Sequence, residues 1–149
     1  LSLHDALPIY FFIELRVVSS YEMIRTILVD DSDVFLESVE YFMSTFPYIK
    51  VVDKAASAKD AIEKIEKYKP DLVLVDIDMP VMNGIEVTRH IKKKPDSPFV
   101  IIVSYHNGDE YETLAKDAGA DGFVTKADFA LNAMQIIESM LLLKEKVKQ

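Results

Sequence analysis

Short apolar runs alternate with amphipathic segments five times between residues 24 and 146. Each run is rich in β-branched side chains and bounded by polar residues, Pro or Gly, which is typical of strands. The predicted strands are 24–29, 49–55, 72–75, 99–103 and 122–125. Apolar residues at helical spacing predict helices over 34–46, 58–68, 84–94, 109–118 and 128–146.

This alternation constrains the fold class to α/β. A strand, a helix and a further strand in succession favour a parallel sheet with right-handed crossovers, and the helices then cover both faces. With five strands, the common arrangement is the flavodoxin-like (βα)5 fold with strand order 2-1-3-4-5. The run 72–75 is apolar throughout and therefore predicts a strand buried on both faces.

The chain of 149 residues has the length of one domain, predicted to span residues 23–149 from Met23 onward. Residues 1–22 are expected to be a non-native or disordered leader, since LSLHDALPI resembles one reading frame of a common sequencing adapter. The apolar stretch within them is short and interrupted by Glu14 and Arg16, so no membrane span is expected.

Composition excludes several classes of function. The formal net charge of −8 argues against a nucleic-acid-binding surface, which requires a basic stripe. The chain has no cysteine, which excludes disulfides, thiolate metal sites and a cysteine nucleophile. The absence of cysteine is also consistent with the predicted location, the cytoplasm.

Polar side chains follow four of the five predicted strands at their carboxyl ends. Asp30 and Asp31 follow the first strand. Asp76 follows the third, Ser104 the fourth and Lys126 the fifth. In the order 2-1-3-4-5 these four strands are neighbours, so the five side chains are predicted to converge on one crevice at the carboxyl ends of the strands.

Three carboxylates in one crevice require a cation. Two unit charges about 4 Å apart repel by roughly 4 kcal/mol at an effective dielectric of about 20. Hard oxygen ligands without His or Cys favour Mg²⁺, with Mn²⁺ as an alternative. Ser104 and Lys126 would then donate to a phosphoryl group, and an Asp carboxylate can itself be the nucleophile that forms an acyl phosphate.

With these residues in place, the chain resembles the receiver domain of two-component response regulators over about residues 23–146. The resemblance rests on the acidic pair after the first strand, on Asp76 in DIDMPVMNG, on Ser104 after FVIIV and on Lys126 in GADGFVTK. The runs DDSDVFLESV, SYH and DGFVTKAD are similar to the receivers of LuxR-type transcription regulators. Those usually continue into a helix-turn-helix domain, and no such domain is expected here, so DNA binding by this chain alone is not expected.

The resemblance implies a role for each acidic residue. Asp76 would be the phosphoacceptor. Asp30, Asp31 and Asp76 would bind Mg²⁺ together with the main-chain carbonyl of Asp78. The phosphoryl donor would be a sensor histidine kinase or a phosphotransfer protein, so the chain would be a signalling switch rather than an enzyme.

The resemblance also implies the switch. Ser104 and Lys126 would hold the phosphoryl group, and the rotamer of Phe123 would follow phosphorylation. The surface formed by helix 4, strand 5 and helix 5 would then change for partner binding. The kinase is expected to dock beside the acidic pocket, near Val34, Leu36 and Ser38 on the first helix, while Phe35 of that helix is predicted only as one of its apolar positions.

Three positions near the site depart from the family pattern or leave alternatives open. The family commonly has Pro after the lysine, with a cis peptide bond; Ala127 stands here, for which a cis bond is not expected. The family often has a small residue after the hydroxyl residue; Tyr105 is bulky and is expected to narrow access to Asp76. His106 either overhangs the site and influences phosphoryl hydrolysis or is an ordinary solvated loop residue.

The last helix carries more apolar residues than one buried stripe requires. Either a second copy of the chain covers the excess, giving a homodimer through helix 4, strand 5 and helix 5, or the chain is a fragment of a longer protein. The residues concerned are Ala130, Leu131, Ala133, Met134, Ile136, Ile137, Met140, Leu141, Leu142 and Leu143.

Two other functions compete with a phosphorylated switch. One is a binding module on the same fold whose site is never phosphorylated. The other is a phosphatase of the haloacid-dehalogenase type, because Asp76-Ile77-Asp78 resembles its Asp-x-Asp pair. That motif should lie on the first strand and carry Thr or Val where Pro80 stands, and here it follows the third strand.

Overall fold

The computed structural model of the protein describes residues 23–148, which form a single sheet flanked by helices. The strands are β1 (Ile24–Val29), β2 (Ile49–Ala55), β3 (Leu72–Asp76), β4 (Phe99–Ser104) and β5 (Gly122–Thr125). The helices are α1 (Asp33–Ser44), α2 (Ala58–Tyr68), α3 (Gly84–Lys92), α4 (Asp109–Asp117) and α5 (Phe129–Lys148). The leader predicted over residues 1–22 lies outside the described residues.

All five strands pair in parallel, in the order β2-β1-β3-β4-β5. The predicted α/β fold class and strand order are therefore confirmed. The winding of the chain reverses between β1 and β3, which places the carboxyl ends of these two strands beside each other at the switch point of the sheet.

Helices cover both faces of the sheet. On one face α1 and α5 pack with side chains of the sheet into an apolar core that includes Leu36, Met43 and Ile137. On the other face α2, α3 and α4 form a second core with residues such as Ile65, Ile85 and Ala115. Every residue of β3 is buried, which explains the uninterrupted apolar run in its sequence.

Short polar side chains start three of the helices. Ser32, Ser57 and Asn83 each accept a hydrogen bond from a backbone N–H in the first turn of α1, α2 and α3 respectively. Each of these caps lies in the loop after a strand. We call the edge of the sheet where the strands end the carboxyl edge. The three capped helix starts hold the loops at this edge in place.

Several predicted boundaries are displaced by one or two residues. Helix α1 ends at Ser44 because the Thr45 N–H donates to the Phe42 carbonyl and the Phe46 N–H to the Met43 carbonyl, so the last turn tightens before Pro47. Strands β3 and β4 include their polar final residues, Asp76 and Ser104.

In the described part of the chain, no helix combines the length and apolar character required to cross a bilayer.

Candidate functional site

The register of the sheet brings the predicted polar residues to one place. Val29 pairs with Val75, Asp76 with Val103, and Ser104 with Thr125, so the strands that precede the site end level with one another. Asp76 and Ser104 are 3% and 0% exposed. The carboxyl edge therefore holds a buried polar crevice at the centre of the sheet.

The three acidic residues predicted to converge do so. One carboxylate oxygen from each of Asp30, Asp31 and Asp76 lies within 4.8 Å of the other two. Asp30 and Asp76 are buried, and Asp31 is exposed. The cluster therefore has a desolvated inner part and one acid that faces solvent.

Lys126 supplies the opposing charge from the end of β5. Its Nζ donates to Asp30 Oδ2 at 2.7 Å and lies 3.6 Å from Asp76 Oδ1, and its side chain is 4% exposed. Burial acts to lower the pKa of Lys126, but the hydrogen bond to Asp30 and the negative charges of Asp76 and Asp30 outweigh burial and raise it. The ammonium therefore stays charged and is bonded to Asp30 rather than to Asp76.

The Asp76 carboxyl is strongly perturbed. Burial, followed by the neighbouring charge of Asp30, raises its pKa from 3.8 to about 6, although Lys126 and a hydrogen bond from the Asp78 backbone act in the opposite direction. Asp76 Oδ1 is buried and has no hydrogen-bond partner among the described residues. A desolvated carboxylate oxygen without a donor can act as a nucleophile or as a ligand of a cation.

His106 links the loop that follows β4 to the loop that follows β3. Its backbone N–H donates to Ser104 Oγ at 2.8 Å, its Nε2 lies 3.2 Å from Asp78 Oδ2, and its ring stacks on Tyr111 at a centroid distance of 4.6 Å. The imidazole thus bridges the β4–α4 loop to the β3–α3 loop. The His106 side chain is 47% exposed, and both alternatives left open by the sequence, an influence on phosphoryl hydrolysis and an ordinary solvated loop residue, stay predictions.

The β3–α3 loop follows Asp76 in a conformation that requires glycine. A Cβ at Gly84 would overlap the Asp76 carbonyl oxygen and lie 2.9 Å from its carbonyl carbon. The Gly84 N–H donates to the Ile77 carbonyl, which closes the loop. Within the loop, Val81 has a φ of 71°, a strained value for a β-branched residue.

Two aromatic rings lie against the Lys126 ammonium, and sequence reasoning missed one of them. The ring centroids of Phe35 and Tyr105 are 4.2 and 4.1 Å from Lys126 Nζ. Phe35 had been predicted only as an apolar position of α1, although its place four residues after the acidic pair could have indicated proximity. Tyr105 is 68% exposed, and a narrowing of access to Asp76 by its side chain stays a prediction.

The surroundings of four further predicted residues bear on their roles. Phe123 is partly buried and packs against the apolar core beneath α2, α3 and α4, and its movement on phosphorylation stays a prediction. Leu36 is 6% exposed and belongs to the core, so its placement on a docking surface was wrong. Val34 is 76% exposed and Ser38 is exposed, so these two positions of α1 are available to a partner.

The match to a protein family covers most of the described chain. The sequence model for the response regulator receiver domain matches residues 26–137. A crystal structure of a LuxR-family two-component response regulator from Aurantimonas sp. SI85-9A1 is similar, with a TM-score of 0.76 and 33% sequence identity. The similarity covers 81% of this chain and 86% of that one.

Curated relatives are longer proteins. The transcriptional regulatory protein DegU of Brevibacillus brevis is 32% identical over 117 residues, which is 76% of this chain and 50% of that protein. A protein-glutamate methylesterase/protein-glutamine glutaminase of Aliivibrio fischeri is 36% identical over 129 residues, which is 85% of this chain and 34% of that protein. The chain thus spans between about a third and a half of these relatives.

Proposed function

Since the chain belongs to the response regulator receiver domain family, we propose that it is a switch that accepts a phosphoryl group on Asp76. The observation that carries this proposal is the buried Asp76 Oδ1, which has no hydrogen-bond partner among the described residues, lies 3.6 Å from Lys126 Nζ and belongs to a carboxylate clustered with those of Asp30 and Asp31. We further propose that residues 23–149 constitute the receiver domain.

The donor atoms at the site fit a hard divalent cation. Three carboxylates offer oxygens within 4.8 Å of one another, and one of those carboxylates carries the unpartnered Oδ1. We propose that Asp30, Asp31 and Asp76 hold Mg²⁺, or Mn²⁺ in its place, with the Asp78 main-chain carbonyl as a further ligand. A bound ion of this kind offsets carboxylate charge and polarises phosphoryl oxygens.

The chemical step is a displacement at phosphorus. An Asp76 oxygen forms a bond to phosphorus while the bond from phosphorus to the donor breaks, and the donor keeps the electron pair. Acetyl phosphate as donor releases acetate. A phosphohistidine donor releases imidazole, whose nitrogen takes up a proton from solvent.

Lys126 and Ser104 act on the transferred group. The Lys126 ammonium, 3.6 Å from Asp76 Oδ1, offsets negative charge that develops on the phosphoryl oxygens. The Ser104 hydroxyl now accepts from the His106 N–H, and we propose that it turns to donate to the phosphoryl group. Phe123, which lies on β5 two residues before Thr125, the residue paired with Ser104, then moves inward and changes the α4–β5–α5 surface.

The proposed phosphoryl donor is a sensor histidine kinase or a phosphotransfer protein that approaches the carboxyl edge over α1. Exposed Val34 at the start of this helix lies close in sequence to the acidic pair and offers an apolar contact. The two relatives described above have different activities according to their names. One is a transcriptional regulatory protein and the other is a methylesterase/glutaminase. We therefore assign this chain the phosphoryl-accepting role alone.

Intact-mass spectrometry after incubation with acetyl phosphate and Mg²⁺ tests the proposal. We expect one phosphoryl adduct that disappears in Asp76→Ala and when EDTA removes the metal. Asp128→Ala, which removes an exposed carboxylate that accepts a hydrogen bond from the nearby Thr125 hydroxyl, is the matched control and should keep the adduct. An adduct that persists in Asp76→Ala would overturn the assignment of the phosphoacceptor.

The competing functions predict different results. A phosphatase would turn over a generic phosphomonoester continuously, whereas we expect no more than one phosphoryl group per chain. A binding module without phosphorylation would give no adduct with either acetyl phosphate or a phosphorylated kinase while circular dichroism shows an intact fold.

A further inference from the structure

We propose that Phe35 and Tyr105 are positioning residues that hold the Lys126 ammonium between two aromatic faces, so that it is oriented before the phosphoryl group arrives. This inference rests on the proposed function, because it concerns the cation that would meet the phosphoryl oxygens. It is carried by the two ring-to-ammonium distances, 4.2 and 4.1 Å, and by the near-complete burial of the lysine side chain.

The contacts of the ammonium show why the rings matter. Within residues 23–148, Lys126 Nζ makes one hydrogen bond, to Asp30 Oδ2, and its distance of 3.6 Å from Asp76 Oδ1 is too long for a second. An ammonium has three N–H donors, so one hydrogen bond leaves two of these polar groups to be compensated otherwise. The electron-rich faces of aromatic rings provide that compensation without a fixed hydrogen-bond direction.

The two rings differ in how firmly they are held. Phe35 packs edge-on against Phe129 at a centroid distance of 6.1 Å, and Phe129 is buried in the core. Tyr105 lies on a loop and is 68% exposed, and its ring contacts the Lys126 ammonium. The ammonium therefore has one fixed wall and one wall that can move.

Orientation of this kind bears on the rate of phosphorylation. A lysine side chain has many rotamers, and each one that points away from the site must be abandoned before the ammonium can meet the phosphoryl oxygens. Contact with a ring face tolerates a sideways shift, so the ammonium can move from Asp30 toward Asp76 while it keeps both rings. Removing a ring should slow the reaction without changing the metal ligands.

The variants are chosen to remove a ring face but keep apolar volume. Phe35→Leu and Tyr105→Leu each remove one wall, and Tyr105→Phe retains the ring without its hydroxyl. Phe42→Leu is the matched control, because Phe42 lies on the same helix, two turns further from the acidic pair, and its ring packs on the same Phe129 at a centroid distance of 5.9 Å. Thermal unfolding verifies that each variant is folded.

Two readouts are measured on each variant. The first is the NMR chemical shift of the Lys126 ε protons, which the ring currents should move upfield in the wild-type protein. Phe35→Leu and Tyr105→Leu should each lose part of this upfield shift. Tyr105→Phe should keep it. The second is the rate of phosphorylation by acetyl phosphate at saturating Mg²⁺, which we expect to fall about three- to tenfold in the two Leu variants, as for loss of one cation–π contact. Mg²⁺ affinity should change by less than about twofold, since no ligand is altered.

The outcomes separate this inference from the proposed function. Wild-type ε-proton shifts that persist in both Leu variants would overturn the aromatic positioning, and so would equal slowing by Phe42→Leu. A wild-type protein that takes up no phosphoryl group would instead overturn the proposed function, while the NMR shifts would still report the contacts of Lys126.

Discussion

At the scale of single residues, the Asp76 carboxyl links chemistry to stability. Its pKa of about 6 in the folded protein lies above the value of 3.8 for an unperturbed Asp. Folding therefore favours the protonated form, and this contribution is present at low pH and is lost as pH rises from about 4 through about 6. A difference of roughly two pKa units corresponds to about 3 kcal/mol once Asp76 is ionised.

Replacing Asp76 by Asn should therefore stabilise the protein at neutral pH. In EDTA we expect Asp76→Asn to raise the free energy of unfolding by about 2–3 kcal/mol at pH 7.5, because repulsion from Asp30 and the burial of a charge are both removed. The gain should be small near pH 4. Urea unfolding at the two pH values measures it.

The control for this substitution is Asp78→Asn in the same loop, where the side chain is exposed. It should show no comparable gain in the free energy of unfolding at pH 7.5. A stabilisation by Asp76→Asn of the same size at both pH values would contradict the argument, since the ionised carboxyl would then not be its source.

At the scale of elements, the start of α3 and the end of β3 touch through Gly84. We expect Gly84→Ala to lower the free energy of unfolding by about 2 kcal/mol or more, because its Cβ would overlap the main chain of Asp76 and backbone must move to admit it. The same movement would displace Asp76, so phosphorylation by acetyl phosphate should also slow. Urea unfolding and phosphorylation kinetics measure the two effects.

Gly108 provides the comparison for that substitution. It precedes α4 with an extended φ of −179°, and a Cβ there would meet no atom within 4 Å. Gly108→Ala should leave stability and the phosphorylation rate close to the wild-type values. Similar losses for both alanine variants would refute the close-approach explanation.

The exposed side of α1 carries a prediction about the kinase. Val34→Glu should slow phosphotransfer from a cognate histidine kinase and leave phosphorylation by acetyl phosphate unchanged, because only the protein donor would touch this helix. Tyr41→Glu is a matched control, since Val34 and Tyr41 are both 76% exposed and Tyr41 lies two turns further from the acidic pair. Equal phosphotransfer to both variants and to the wild-type protein would exclude docking at the start of α1.

At the scale of the whole molecule, the apolar surface of α5 bears on assembly. Its inner residues, including Ala133 and Ile137, are fully buried, whereas Leu131 is 68% and Leu142 37% exposed. The apolar excess predicted for this helix is therefore confirmed at Leu131 and Leu142. What covers these side chains stays a prediction.

We expect a phosphoryl mimic to favour a homodimer through α4, β5 and α5. Sedimentation velocity with beryllofluoride and Mg²⁺ should show a larger species than without them, and Leu131→Glu should reduce it, because a charge would have to be buried at the interface. Val34→Glu, on α1, should not reduce it. A monomer under every condition would remove the prediction.

The periodicity of the sequence predicts the fold of this molecule well, because most strands are compact apolar runs and the helices before α5 each have one apolar stripe. It predicts helix ends less well, since the tightened turn after Ser44 depends on hydrogen bonds between neighbouring residues rather than on periodicity. It also misassigned Leu36. Neighbouring apolar residues on a helix compete for the core, and the packing of α1 against the sheet decides which of them is buried.

The candidate site was predictable as a set of residues but not as a geometry. Polar residues at strand ends, combined with a strand order, are enough to bring Asp30, Asp76 and Lys126 together. The preference of Lys126 for Asp30 over Asp76 follows from distances that no sequence pattern encodes. The contribution of Phe35 follows from its rotamer and from its packing on Phe129.

The hydrogen bond between Asp30 and Lys126 also has a consequence for biosynthesis. The two residues are 96 positions apart in the chain. Asp30 follows β1 and Lys126 follows β5, and β3 and β4 lie between these two strands in the sheet. Loop closure over such a separation is slow, so the crevice is completed only after β5 has docked on β4. A chain still emerging from the ribosome without β5 has no ammonium at Asp30, so the proposed phosphoryl-accepting site is incomplete until the residues through Lys126 have been synthesised.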